Sequence, residues 1–377
     1  MLTRPLVQVF ASSFGFSTSF YLLLSVVPIY AASVGAGEAG AGLATGVLML
    51  STVAAEFLTP LLLSRFGYRM VFAAGLMLLG APAFALGFAP TLVSILAVCL
   101  ARGFGLGIVL VVGGALVAEL VPPERRGEGL GLYGVAVGVP FVVALPLGVW
   151  LAETFGYPPV FAAGGLAALA GLAAIPGLPG RAWRPGRTVG VLGALRNTSL
   201  LGPLAVFFGV AMSAGIVVTF VPLVVPGGSG NLAAVALLTQ AAAATLFRWW
   251  AGRLGDRYGP ASLLVPSVVA SAVGVLAPAF AANPAAVLAG MALFGAGWGV
   301  TQNATLALIL ERVAPLGYGA ASALWYVAYD AGLGLGAFGF GVVAAGTGYP
   351  MAFALTSALV LAALAPASRG SGGARLR

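Results

Sequence analysis

Residues 103–107 read Gly103-Phe104-Gly105-Leu106-Gly107, and the same alternation of glycines returns 192 positions later as Gly295-Ala296-Gly297-Trp298-Gly299. Working outward, the offset holds without a gap. Arg65 matches Arg257, Gly67 matches Gly259, and Glu119 matches Glu311. Further along, Pro123 falls on Pro315, Gly127 on Gly319, Gly156 on Gly348, Tyr157 on Tyr349, Pro158 on Pro350 and Phe161 on Phe353. Self-similarity at a fixed offset marks an internal duplication, here with one copy in each half of the 377-residue chain.

The composition says what solvent the repeats are built for. Hydrophobic residues make up 61% of the chain and charged residues 7%, against roughly 25% charged in soluble domains. With a mean hydropathy of +1.09, the chain has no surface to offer water, and the bilayer is its expected partner. The 56 glycines and 24 prolines fit that reading, because membrane helices tolerate both. The net charge of +8 comes from 17 arginines and no lysine, and their positions mark topology rather than a nucleic-acid surface. Cys99 is the single cysteine, so no intrachain disulfide can form. With no histidine, neither a transition-metal centre nor a Ser-His-Asp or Cys-His catalytic set can be assembled, so no cofactor and no enzyme activity is expected.

Twelve segments are long and apolar enough to cross a hydrocarbon core of about 30 Å. They lie near 6–31, 40–63, 70–88, 91–118, 128–150, 159–178, 199–225, 232–251, 261–281, 285–309, 318–345 and 350–366. Turn chemistry separates them at Ala89-Pro90, Val121-Pro122-Pro123, Gly156-Tyr157-Pro158, Gly227-Gly228-Ser229-Gly230, Asn283-Pro284 and Gly348-Tyr349-Pro350. The first segment exceeds a signal-peptide core, so it is read as uncleaved. With a cytoplasmic N-terminus, every loop arginine from Arg4 to Arg377 faces inward, while the outer loops offer Glu38 and Glu153. That bias places both termini in the cytoplasm of a cell with an inner, cytoplasmic membrane. The expected organisation is an all-α integral membrane protein: a six-helix half at 1–178, a cytoplasmic connection at 179–198 and a second six-helix half at 199–377.

Gly252-Arg253-Leu254-Gly255-Asp256-Arg257-Tyr258-Gly259, between the eighth and ninth segments, resembles the loop signature of the major facilitator superfamily. Its first-half copy runs from Pro60 to Arg69 and replaces the first Gly with Pro60 and the Asp with Ser64. Ala101-Arg102-Gly103-Phe104-Gly105-Leu106-Gly107, Pro122-Pro123-Glu124-Arg125-Arg126-Gly127 and Ala328-Tyr329-Asp330-Ala331-Gly332-Leu333-Gly334 extend the resemblance over essentially the whole chain. It is closest to the efflux-type branch of sugar, drug and small-metabolite exporters. The family's antiporter signature in the fifth helix is altered, reading Leu145-Pro146-Leu147-Gly148. The resemblance implies a twelve-helix monomer with a substrate site between its halves, and a cytoplasmic gate built from Arg65, Arg69, Glu119, Arg253, Asp256, Arg257 and Glu311. In that gate Glu119 and Glu311 are expected to pair with loop arginines. Gly334-Leu335-Gly336-Ala337-Phe338-Gly339 matches a dinucleotide pattern but lies in an apolar helix with no preceding strand, so helix packing explains it.

Four ionisable residues fall inside the spans: Glu56, Arg102, Arg248 and Asp330. Each costs on the order of 2.5 to 3.5 kcal/mol to insert, which makes function the default reading. Asp330 is the better candidate for proton coupling, because a carboxylate held out of water can exchange a proton near neutral pH. Arg102 would tune it or hold an anionic group. Around these charges Tyr21, Trp298, Gln302, Trp325, Tyr326 and Tyr329 recur at helical spacing as candidate cavity contacts. Two acids and two bases sum to zero, so the expected solute is zwitterionic, neutral or amphiphilic rather than strongly charged. The functional expectation is proton-coupled efflux of a small organic solute by alternating access. Uptake by a facilitator or symporter is the runner-up, and a non-transporting receptor the remaining alternative.

Glu56 and Arg248 are repeat mates of opposite sign, which points to communication across the halves. Neutralising either should impair transport or folding by leaving a buried charge unpaired, at roughly 3 to 5 kcal/mol. A double-mutant cycle in which the two losses simply add would show that they never meet.

Overall fold

The computed structural model describes residues 3–121, 126–178, 197–225, 231–313 and 318–364, with the side chains at 118, 126–131 and 318 excepted. Outside the described residues lie Pro122 to Arg125, the Gly227 to Gly230 break, most of the 179–198 connection with its arginines, Pro315, and Arg369, Arg375 and Arg377. The chain divides into two compact units, Met1–Pro185 and Gly186–Arg377.

The first unit contains α1 (Arg4–Leu24), α2 (Val26–Ala31), α3 (Gly37–Ala85), α4 (Leu92–Leu120), α5 (Arg126–Phe155) and α6 (Tyr157–Ala170). The second contains α7 (Leu201–Val224), α8 (Leu232–Tyr258), α9 (Leu264–Gly274), α10 (Pro284–Glu311), α11 (Tyr318–Thr347) and α12 (Tyr349–Ala362). Among the described residues nine segments are long and apolar enough to cross a membrane, the first of them, Arg4–Phe88, running through α1–α2 and both arms of α3, and α12 adds a shorter apolar helix, which together give twelve rods. The all-α, twelve-helix fold class read from the sequence is the one observed.

Local chemistry explains the boundaries. Thr91 and Ser94 form a capping box at the start of α4, and Asn283 accepts from the Ala285 and Ala286 amides ahead of Pro284 in α10. The two arms of α3 meet at Gly67, with φ 73°, and its repeat mate Gly259 ends α8 with φ 79°. An L side chain rarely adopts that conformation, so glycine is required at both turns. The 252–258 signature is not a loop but the last two turns of α8, because its only turn-forming residue in a left-handed conformation is Gly259.

The glycines of α4 and α10 settle how each unit packs. A β-carbon on Gly103 would overlap the Leu48 carbonyl oxygen, and one on Gly295 would overlap that of Gln240. Gly107 meets the Thr52 carbonyl in the same way, and Gly299 that of Ala244. On the other side, a β-carbon on Gly105 would lie 2.7 Å from the Gly75 oxygen, and one on Gly297 would lie 2.5 Å from the Ser267 oxygen. Every one of these partners is itself a repeat mate, since 48 and 240, 52 and 244, and 75 and 267 share the 192 offset. The duplication is therefore preserved down to which carbonyl each glycine touches. In α11, Gly336 likewise sits against the Met212 carbonyl of α7, which accounts for the dinucleotide-like pattern as packing.

Gly103→Ala and Gly295→Ala should each force α4 or α10 off its neighbour at a cost of about 1 to 3 kcal/mol. Gly114→Ala, where a β-carbon meets nothing, is the control. Thermal unfolding of the purified variants should show two lowered midpoints and one unchanged.

Candidate functional site

In the second unit, four aromatic rings from three helices lie nearly parallel. Phe207 of α7 stacks on Trp325 of α11 at 4.2 Å and 8°, and on Trp298 of α10 at 5.6 Å and 7°. Tyr329 completes the wall, 5.7 Å from Trp298 and 6.3 Å from Trp325. Trp325 and Tyr329 are one helical turn apart, so α11 presents both to the same neighbours. The wall is held in plane by hydrogen bonds. The Trp325 indole N–H donates to Thr305 Oγ1 at 3.1 Å, and the Thr305 hydroxyl donates to the Thr301 carbonyl at 2.7 Å. Thr301 Oγ1 lies 2.9 Å from Ser267 Oγ, which carries the chain into α9.

The candidate contacts Trp298, Trp325, Tyr326 and Tyr329 take different places in the wall. Trp298 and Trp325 are 2% and 7% exposed, so they form the inside of the wall. Tyr326 stands edge-on to Trp325 at 84° and is 48% exposed, and Tyr329 is half-buried, so these two rings are the accessible ones. Asp330, next to Tyr329, is 2% exposed. Phe207, at the centre of the wall, carried no signal in the sequence, because one phenylalanine in an apolar helix is indistinguishable from its neighbours.

The two arginines in the spans differ sharply. Arg102 is 1% exposed inside the first unit, donating to the Leu79 carbonyl at 2.8 Å and the Ser19 carbonyl at 3.4 Å. Cys99, one turn earlier on α4, is equally sealed. Arg248 on α8, expected as one of two buried charges, is instead exposed, because its guanidinium reaches outward from α8 and donates to Gln302 Oε1 of α10 at 3.3 Å. Glu56 is half-buried on α3, and Tyr21 of α1 packs against Phe141 of α5 at 5.2 Å. The structure thus brings Arg248, Gln302, Trp298, Trp325, Tyr326, Tyr329 and Asp330 into one unit, and places Glu56, Arg102 and Tyr21 in the other.

At the arginine-rich helix ends the contacts within each unit run to backbone carbonyls, ring faces and a phenol. The buried Tyr68 hydroxyl donates to the Glu119 carboxylate. Arg69 donates to the Leu178 carbonyl, and Arg65 lies over the Phe66 ring. Arg253 stacks on Trp249 at 3.9 Å, and Arg257 lies over Tyr258 at 5.2 Å, while Asp256 and Glu311 are exposed. Next to Glu311, Arg312 donates to the Ser199 carbonyl. A guanidinium at a helix end meets backbone carbonyls and ring faces more readily than a carboxylate when acids are scarce, and the chain has nine. Among the described residues no cluster of three or more His, Cys, Asp or Glu could hold a metal ion.

This two-unit, twelve-helix architecture agrees with a family model described as Major Facilitator Superfamily, which matches residues 9–315. The chain belongs to that superfamily. It is 24% identical over 356 residues to the uncharacterised MFS-type transporter YtbD of Bacillus subtilis (strain 168), covering 90% of this chain and 88% of that one. Among solved structures it is similar to a D323A mutant of the nucleoside transporter NupG, with a TM-score of 0.78, 13% identity and coverage of 97% and 99%. A D-xylose-proton symporter aligns with a TM-score of 0.76 and 16% identity over 95% and 96% of the two chains. The protein is a multi-pass membrane transporter.

Thr305→Val should leave the buried Trp325 N–H without an acceptor, at about 1 to 3 kcal/mol. Thr305→Ser should restore it. The thermal midpoint and the tryptophan emission maximum of the two variants would separate a lost hydrogen bond from lost packing.

Proposed function

We propose that the protein is a proton-coupled secondary transporter that moves a small organic solute by alternating access, with Asp330 as the coupling carboxylate and the accessible Tyr326 and Tyr329 rings, backed by the buried Trp298 and Trp325, as the solute-contacting surface. The observation that carries this reading is the adjacency of Asp330 to Tyr329. One residue joins the wall, and the next is a carboxylate 2% exposed within an apolar helix. Solute that displaces or tilts Tyr329 alters the surroundings of the carboxylate beside it, and protonation of the carboxylate alters the position of the ring. Two events on one helical turn are thereby coupled without a long pathway. Arg65, Arg69, Arg253 and Arg257, at the helix ends, serve as the breakable contacts of a cytoplasmic gate. Stacks on aromatic rings and single bonds to carbonyls are weak enough to exchange during a transport cycle.

Efflux is the proposed direction, from the resemblance to exporters of small metabolites and drugs. Proton-driven uptake is the second reading, favoured by the likeness to the D-xylose-proton symporter. Both place the protein in the inner membrane of a bacterial-type cell as a monomer with both termini cytoplasmic.

The test uses purified protein in liposomes with a solute found by thermal-shift screening, since a ligand that binds the folded state raises its melting temperature. A pH gradient of either sign then reports direction. Asp330→Asn should abolish gradient-driven flux while leaving solute binding or exchange measurable. Full pH-driven transport by that variant would overturn the assignment.

A further inference from the structure

We propose that Arg248 and Gln302 are the anion-reading end of the solute site, and that the solute is a planar aromatic monocarboxylate. The proposal rests on the reading above that the aromatic wall of the second unit contacts the solute.

The guanidinium carries five N–H donors. Within its own unit, and among the described residues, Arg248 has one hydrogen-bond partner, the neutral Gln302 amide oxygen at 3.3 Å. That bond occupies one donor and neutralises no charge. Arg248 also lies nine residues before Arg257 on α8, about 13 Å further along the helix axis. A cation at that depth is retained where it faces water or a polar ligand, and Arg248 is exposed. Arg102 offers the opposite case. At 1% exposure, with N–H groups directed to two carbonyls of its own unit, it is closed to a solute in this conformation. Of the two intramembrane arginines, Arg248 is therefore the one a carboxylate can reach. Gln302 assists: its oxygen is turned toward Arg248, which leaves its amide N–H2 as a second donor beside the guanidinium. Together they form a fork suited to the two oxygens of a carboxylate.

The body of the solute follows from what flanks the fork. Trp298 is one turn before Gln302 on α10 and is the ring on which Tyr329 stacks. Parallel rings at these separations accept a further flat ring at a centroid distance of about 4.5 to 7 Å, and Tyr329 is less buried than Trp298 and Trp325. A neutral sugar or nucleoside would leave the guanidinium unmatched, and a dianion would call for a second cation that the fork lacks.

The experiment titrates the purified full-length protein with benzoate, with benzamide as the uncharged analogue and cyclohexanecarboxylate as the non-planar one, following tryptophan emission and the thermal midpoint. Benzoate is expected to bind at least tenfold more tightly than either analogue. Arg248→Gln should weaken benzoate tenfold or more. Gln302→Glu supplies a carboxylate to Arg248 from the protein itself, so it should expel benzoate while keeping or raising the melting temperature, which guards against a variant that merely fails to fold. Equal affinity for benzamide, unaltered benzoate affinity in Gln302→Glu, or no benzoate binding at millimolar concentration would each overturn the proposal. These outcomes are independent of proton coupling. If they fail while Asp330→Asn still uncouples flux of another solute, the coupled transporter stands and the carboxylate assignment falls. If benzoate binding follows Arg248 and Gln302 while Asp330→Asn transports normally, the reverse holds.

Discussion

The structure depends on helices that touch backbone to backbone. In each unit one central helix, α4 or α10, carries three glycines at alternating positions that face two neighbours at once, and each glycine rests on a carbonyl that a single methyl group would collide with. In lipid, helix association gains nothing from excluding water, so it relies on close van der Waals contact and on hydrogen bonds between helices. Bare glycine surfaces supply the first of these. Their spacing sets how near α3 and α8 can come, and with it where Thr52, Gln240 and the other buried polar groups on those helices are held. The aromatic wall is a consequence of the same approach, since Trp298 sits between Gly297 and Gly299 on α10.

On this duplicated frame the chemistry is not duplicated. Positions matched by the 192 offset pair Leu106 with Trp298, Arg102 with Phe294, Gly113 with Thr305, and Gly138 with Asp330. The wall, its hydrogen-bond support and the buried acid thus belong to the second copy alone. The first copy holds instead a sealed arginine that ties α4 to the carbonyls of α1 and α3. Glu56 and Arg248 reverse charge between the copies. Equivalent packing with divergent polar groups is how a duplicated transporter can keep two halves of similar mechanical design while each carries different chemistry.

The frame was legible in the sequence because its determinants are local or periodic. Glycine spacing, the turn residues at Gly67 and Gly259, the caps at Thr91 and Asn283, and the placement of arginines each act where they stand. Site geometry was legible only in part. The spans are apolar on all sides, so no amphipathic stripe reports which face of a helix meets which neighbour. That is why Trp298 and Trp325 could be selected by residue type but not recognised as the inner layer of a stack, and why Phe207 went unseen. The pairing of Glu119 with Tyr68 was hidden for a related reason. Complementary charge is a strong cue in sequence, whereas a carboxylate and a phenol fifty-one positions apart meet only because α3 folds back at Gly67.

The burial of Cys99 has a practical side. It is the only thiol in the chain and is 1% exposed against α4's own packing partners, so the unmodified protein already behaves as a background without reactive cysteines. Probes for fluorescence or spin-label distance measurements can be attached at introduced cysteines on each unit while the native residue stays in place. The movements of the two units during a cycle can then be followed on a chain whose interior has not been altered to make the measurement possible.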